Sequence, residues 1–169
     1  MDTGFTPLET ERLLLRRLVP ADREQAVAIQ SDPRTYDFNR GAPDEAESVA
    51  KFESWLKDWE ELGICYVAVI EREPESFVGL GGLQLREFGG EKILNLYYRF
   101  LPEVWGRGYA TETSRAVIAW ADEHLPQYPV QISVFIRNEP SLRVAQRLGF
   151  STYSESFYAG SLTRHFRRD

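Results

Sequence analysis

Two glycines one residue apart, Gly106 and Gly108, stand where a strand-like apolar run gives way to a helical one. The run before them is Ile93 to Leu101. The run after them, Ala110 to Leu125, places Ala116, Val117, Trp120 and Ala121 on one helical face. The backbone must turn sharply in between, and glycine removes the Cβ atoms that would crowd such a turn. A strand-to-helix turn also leaves the first N–H groups of the helix without partners, at the positive end of its dipole. A phosphate or pyrophosphate suits that place. No Asp or Glu lies between Val104 and Thr111, and Arg107 adds a cation. The same glycines also suffice for a plain strand–helix turn.

Before the loop, Leu13 and Leu15 alternate with Arg12, Leu14 and Arg16, which predicts a strand over Glu11 to Leu18. Pro20-Ala21-Asp22 opens a helix with Ala26 and Ile29 on one stripe and Val27 at its edge; Ser31-Asp32-Pro33 stops it. Pro43 is expected to begin a second helix, with Val49, Phe52, Trp55, Leu56 and Trp59 at helical spacing and Gly63 as its end. Three strands follow closely: Ile64 to Ile70, Phe77 to Leu85 and Ile93 to Leu101. Their turns, Glu73-Pro74-Glu75-Ser76 and Gly89-Gly90, are too short for anything but antiparallel neighbours. Gly79, Gly81 and Gly82 in the middle strand imply a bulge, or a close approach of another backbone or a ligand.

After the glycine loop and its helix, Val130 to Ile136 reads as a strand. Asn138-Glu139-Pro140-Ser141 opens a helix that buries Leu142, Val144, Ala145 and Leu148 and stops at Gly149. Phe150 to Phe157 and Ser161 to Phe166 form a last hairpin across Ala159-Gly160. The order predicts an α+β, mixed α/β, fold with helices on both faces of its sheet. The 169 residues are expected to form a single domain over 1–169, without repeats or linkers.

With 43% apolar and 27% charged residues the chain is expected to be soluble. No apolar run reaches the ~20 residues of a membrane helix, and Met1-Asp2-Thr3-Gly4 lacks the order of a signal peptide. The single cysteine, Cys65, lies in an apolar strand pattern and reads as a core residue, so a cytoplasmic location is expected. A net charge of −6 argues against nucleic acid and favours cationic substrates. His124 and His165 stand alone, without metal-ligand spacing, and no metal site is expected. A Walker loop is excluded because no Gly-Lys-Ser/Thr follows the glycines. A dinucleotide-binding turn fits poorly, since position 111 is Thr and the preceding hairpins make no parallel βαβ unit.

Trp105-Gly106-Arg107-Gly108-Tyr109-Ala110-Thr111-Glu112 resembles the acyl-CoA pyrophosphate loop of the GNAT N-acetyltransferases. The nearest likeness is to the Rim-type subgroup, which contains the ribosomal-protein N-terminal acetyltransferases. Asn138-Glu139-Pro140-Ser141 with Arg147-Leu148-Gly149-Phe150 resembles that subgroup's Asn-x-x-Ser helix start and Leu-Gly-Phe ending. Thr10-Glu11-Arg12-Leu13-Leu14-Leu15-Arg16 and Ser31-Asp32-Pro33 match as well, so the resemblance runs from about Thr10 to Arg167.

The resemblance implies a mostly antiparallel central sheet of about seven strands, splayed between the strand ending at Leu101 and the strand ending at Ile136. Acetyl-CoA would lie in that V, with pantetheine on the strand edge around Tyr98 to Val104, Leu101 included. Its pyrophosphate would rest on amides from Arg107 to Thr111, that is Arg107, Gly108, Tyr109, Ala110 and Thr111, with Trp105 and Gly106 also among the cofactor-binding residues. Asn138 would hydrogen-bond pantetheine, and Ser141 would lie near the thioester sulfur; both residues are equally suited to helix capping. An amine would attack the thioester directly, and strand-edge N–H groups near Phe100 and Leu101 would hold the oxyanion.

The chain departs from the family at Trp105, where the superfamily usually has Arg or Gln. It departs again at Ala145, where many members carry an acidic Tyr, and at Asn95, where many of the subgroup carry Glu. Ser141 is then the nearest catalytic acid. The missing base and acid fit an α-amine, which has a pKa near ~8, or a water-relayed base, better than a lysine-like amine at ~10.4. Glu155, Glu103 and Asp37 are the other candidate bases. The acceptor, a protein N-terminus or a small amine, would bind between Arg34 to Phe38, the second helix near Phe52 and Trp55, and the hairpin after Phe157. The chain would work as a monomer or homodimer. The alternative is a non-catalytic module that binds acyl-CoA.

Overall fold

The structure, a computed structural model, describes residues 2–36, 41–158 and 160–168. Its elements in chain order are β1 (Leu8–Glu9), β2 (Leu13–Arg17), α1 (Arg23–Ser31), α2 (Glu45–Leu62), β3 (Tyr66–Arg72), β4 (Glu75–Phe88) and β5 (Glu91–Phe100). Then follow α3 (Tyr109–His124), β6 (Val130–Phe135), α4 (Glu139–Arg147), β7 (Thr152–Tyr158) and β8 (Ser161–Arg167). Among the described residues eight strands form one sheet in the order β1-β2-β3-β4-β5-β6-β8-β7. Every pairing is antiparallel except β5 with β6.

Side chains alternate across the sheet, so β5 shows where the layers lie. Tyr97 approaches Trp55 of α2 at 6.1 Å between ring centroids. The neighbouring positions face the other way: Tyr98 reaches Ser141 of α4, and Phe100 lies 6.3 Å from Tyr109 of α3. Helices α1 and α2 pack together on one face, and α3 and α4 on the other. Phe52, Trp55 and Trp59 carry the buried stripe of α2, each worth roughly 1.5–3 kcal/mol of burial. Leu13 and Leu15 of β2 are fully buried, as their alternation predicts. No described helix is long and apolar enough to cross a membrane.

Several boundaries differ from expectation. The sheet has eight strands rather than about seven, because Leu8 and Glu9 pair with Leu15 and Leu14. Helix α2 begins after Pro43: Asp44 is its N-cap, and its carboxylate accepts the Glu47 N–H at 2.8 Å. The bulge expected in the glycine-rich strand is present, with the β3–β4 register shifting between Val69 and Ile70. The approach that needs a glycine at Gly79 is made by the Phe100 ring, where any Cβ would collide.

Candidate active site

Strands β5 and β6 pair only at Leu94 with Val130 and Asn95 with Gln131. Beyond that point they part, as expected. The opening is a cleft of about 1410 Å³, walled by β5, the glycine loop and the start of α3 on one side and by β6 and α4 on the other. Val104, Trp105, Gly106, Arg107, Gly108, Tyr109, Ala110, Thr111, Asn138 and Ser141 all line it.

Leu101 does not line the cleft. Its N–H donates to Val78 O at 2.9 Å and its carbonyl accepts from Val104 N at 3.0 Å, so it is spent on structure. Along an edge strand N–H groups point alternately to the two sides. Leu94 N–H points toward β6, to Pro129 O. Phe100, an even number of residues on, therefore presents its N–H to the opening, and Leu101 does not. The Phe100 carbonyl accepts from Trp105 Nε1 at 3.0 Å, which holds the half-exposed indole over the end of the open edge.

In the loop, Gly106 and Gly108 have φ of 81° and 83°. A Cβ on Gly106 would meet nothing within 4 Å, and one on Gly108 only Arg12 Nη2 at 3.6 Å. Crowding is thus not what requires glycine here; the left-handed φ is. Gly108 is the N-cap of α3 and has no capping side chain, so the first N–H groups of that helix stay open to the cleft. Arg107 does not face the cleft as a lone cation. It lies 3.3 Å from Glu71 of β3, which also accepts the Tyr109 hydroxyl. The hydrogen bond to Glu71 raises the Tyr109 pKa, keeping it a donor. Arg143 and Arg147 line the cleft from α4. Sequence reasoning missed them, because nothing in the chain says which face of that helix meets the opening.

At the head of α4, Asn138 caps the helix: its Oδ1 accepts the Ser141 N–H at 3.2 Å. Ser141 Oγ accepts the Tyr98 hydroxyl at 2.8 Å. Burial pushes the Tyr98 phenol up, against the pull of Ser141, so it remains protonated. Ala145, where many family members carry a tyrosine, is fully buried.

On the other face, Asn95 donates to the Tyr66 hydroxyl at 2.9 Å, and Tyr66 packs against Tyr97 and Trp55. The Arg99 guanidinium stacks 3.9 Å from the Tyr36 ring centroid and donates to Tyr97 Oη and Thr35 O. Phe52 is core, 1% exposed, and forms no part of this wall; Tyr158, the residue after Phe157, lines the cleft from the last hairpin as expected. Glu103 pairs with Arg34 at 3.1 Å and Glu155 with Arg164 at 3.0 Å. Neither lines the cleft. Its own backbone N–H and then Arg34 hold the Glu103 carboxyl low, making it a poor proton acceptor. Asp37 and Phe38 lie outside the described residues. Cys65 is buried, and burial pushes its thiol up. His124 stacks on Trp120 at 4.9 Å. His165 lies between Ser133 and Ser156. Among the described residues no three His, Cys, Asp or Glu side chains gather as a metal-ligand set.

The cleft inverts the charge of the chain. Arg34, Lys51, Arg86, Arg99, Arg107, Arg143 and Arg147 line it against Glu47 and Glu87 among the described residues. The net charge of −6, which favours cationic substrates, does not extend to the cleft, which is basic.

Known proteins share this fold. A solved GNAT-family acetyltransferase from Bordetella pertussis superposes with a TM-score of 0.84 at 24% identity, over 98% of this chain and 100% of that one. A structure described as a ribosomal-protein-serine acetyltransferase from Vibrio cholerae gives 0.72 at 22% identity, over 99% and 98%. An uncharacterized N-acetyltransferase from Schizosaccharomyces pombe is 29% identical, over 85% of this chain and 83% of its own length. Residues 12–151 match the family described as the acetyltransferase (GNAT) domain, and the chain belongs to that family of acetyl-transferring proteins.

Proposed function

We propose that this chain transfers an acetyl group from acetyl-CoA to a primary amine, on a peptide N-terminus or a small molecule, by direct attack. The observation that carries this is the open edge of β5 running into the uncapped start of α3. The edge offers amide partners in the order a pantetheine arm needs, and the helix start offers donors for a pyrophosphate. Arg143 and Arg147 would neutralise phosphate charge from the facing wall. Phe100 N–H would face the oxyanion. The Tyr98–Ser141 pair would meet the leaving sulfur, and a thiolate with a pKa near that of cysteine, ~8.5, leaves with little help.

The acceptor face supports an α-amine over a polyamine. Asn95 stands where a carboxylate base would, and the basic lining disfavours a polycation. Thiol release from acetyl-CoA, measured across N-terminal peptides, amino acids, amino sugars and polyamines, tests the proposal. Release is expected with acceptors of pKa near ~8 and to be at least tenfold slower with polyamines. Binding of acetyl-CoA without release by any amine would leave the acyl-CoA-binding module.

A further inference from the structure

His165 of β8 is 2% exposed, yet a hydroxyl meets each of its ring nitrogens. Ser133 Oγ lies 2.8 Å from Nδ1, and Ser156 Oγ lies 2.8 Å from Nε2. Ser133 is the register partner of His165. It stands two residues past Gln131, where β5 and β6 part, and by alternation shares the face of Asn95 and Tyr97. Ser133 lines the cleft, while His165 lies behind it. Phe88 covers the ring at 4.6 Å and Tyr158 meets it edge-on at 5.9 Å.

We propose that Ser133 and His165 form the proton relay that deprotonates the acceptor amine; this rests on the acetyltransferase function proposed above. Ser156 accepts from Nε2–H and so fixes the tautomer in which Nδ1 carries a lone pair. Ser133 donates its hydroxyl proton to that lone pair. When an ammonium group enters, Ser133 Oγ takes one proton from nitrogen as it passes its own to Nδ1. The products are a neutral amine and an imidazolium. The amine nitrogen then attacks the thioester carbonyl. Its second proton goes to the departing sulfur, which leaves as a thiol, and the imidazolium returns its proton to water through Ser133. Bonds and charges balance without any carboxylate.

The surroundings suit this task. From β4 the ring faces Phe88, from β6 Ser133, and from β7 Ser156 and Tyr158. The charged groups nearby are engaged elsewhere: Arg167 with Gln131 and Glu91, and Arg164 with Glu155 on the opposite face of the strand. Burial lowers the imidazole pKa, so the ring is neutral and able to accept at neutral pH. Activity should fall only as pH drops below the ordinary imidazole value of ~6.5.

The test compares wild type, His165→Gln, Ser133→Ala and the double variant, with an N-terminal peptide as acceptor. Each single variant should lose about a hundredfold in kcat, with unchanged KM for acetyl-CoA, and the double variant should lose no more. The ascending limb of kcat/KM should move up to the amine's own pKa, ~8, which a purely structural role would not cause. Ser133→Ala is the smaller change, should His165→Gln fold poorly. Nitrogen NMR of wild type should show Nε2 protonated and Nδ1 bare at neutral pH. The opposite tautomer, or a Ser133→Ala enzyme with wild-type kcat and pH limb, overturns the relay alone. A wild type that releases thiol with no amine overturns the function and the relay together.

Discussion

Tyr98 and Ser141, both lining the cleft, place two hydroxyls 2.8 Å apart. If the pair stabilises the leaving sulfur, Ser141→Ala and Tyr98→Phe should each lower kcat about tenfold to a hundredfold with little change in KM for acetyl-CoA. The double variant should lose little more than either alone, because both act on one sulfur. Wild-type kcat in Ser141→Ala would leave Ser141 as only the third residue of a capped helix. Ser141 was legible from its spacing after Asn138; Tyr98 was not, because its partner lies 43 positions away. Gly108 was legible as special, and it is the left-handed φ, not crowding, that calls for glycine there. Its φ of 83° makes Gly108→Ala cost about 1–2 kcal/mol in thermal denaturation, despite open space around the missing methyl. The same variant should weaken acetyl-CoA in calorimetric titration, and unchanged affinity would reduce the glycine to a turn residue.

Helix α3 is aimed by its first turn. Thr10 Oγ1 donates to Glu112 at 2.6 Å, and Arg12 contributes its backbone N–H at 3.0 Å and its guanidinium at 2.8 Å. These bonds tie the uncapped, cleft-lining end of the helix to the β1–β2 turn, about a hundred positions earlier. Burial pushes the Glu112 carboxyl up, but the Thr10 and Arg12 hydrogen bonds outweigh it and hold the group below its ordinary range. A carboxyl lowered on folding stabilises above its unfolded value, ~4.3, and loses that contribution as pH falls through the folded value. Glu112→Gln should therefore lower stability by about 1–2 kcal/mol at neutral pH, Arg12 being partly exposed. The gap in melting temperature between variant and wild type should close in acid, and a gap independent of pH would refute the clamp. The two halves of this contact were visible as separate motifs. Their meeting was not, because local pattern carries no tertiary distance. For the same reason β1, two residues without periodicity, escaped notice, whereas the long β4–β5 hairpin announced itself through its glycine turn and apolar runs.

At the scale of the whole molecule, an acidic chain carries a basic cleft, and net charge could not reveal that segregation. The cleft should therefore bind a polyanion in spite of the overall repulsion, with a strength that salt reduces. Acetyl-CoA at a hundred times its Kd should stabilise the fold by ~2.7 kcal/mol. For a chain of this size that is about 5–10 °C in melting temperature. Raising ionic strength from 0.05 to 0.5 M (roughly 14 to 4 Å in Debye length) should shrink the shift. Arg143→Gln with Arg147→Gln should lower affinity and flatten the salt dependence. Both residues are exposed, so stability without acetyl-CoA should move by less than about 0.5 kcal/mol per site. A double variant with wild-type affinity and salt slope would show that the helix start alone holds the phosphates. No shift at millimolar acetyl-CoA in the wild type would remove acetyl-CoA from the cleft altogether.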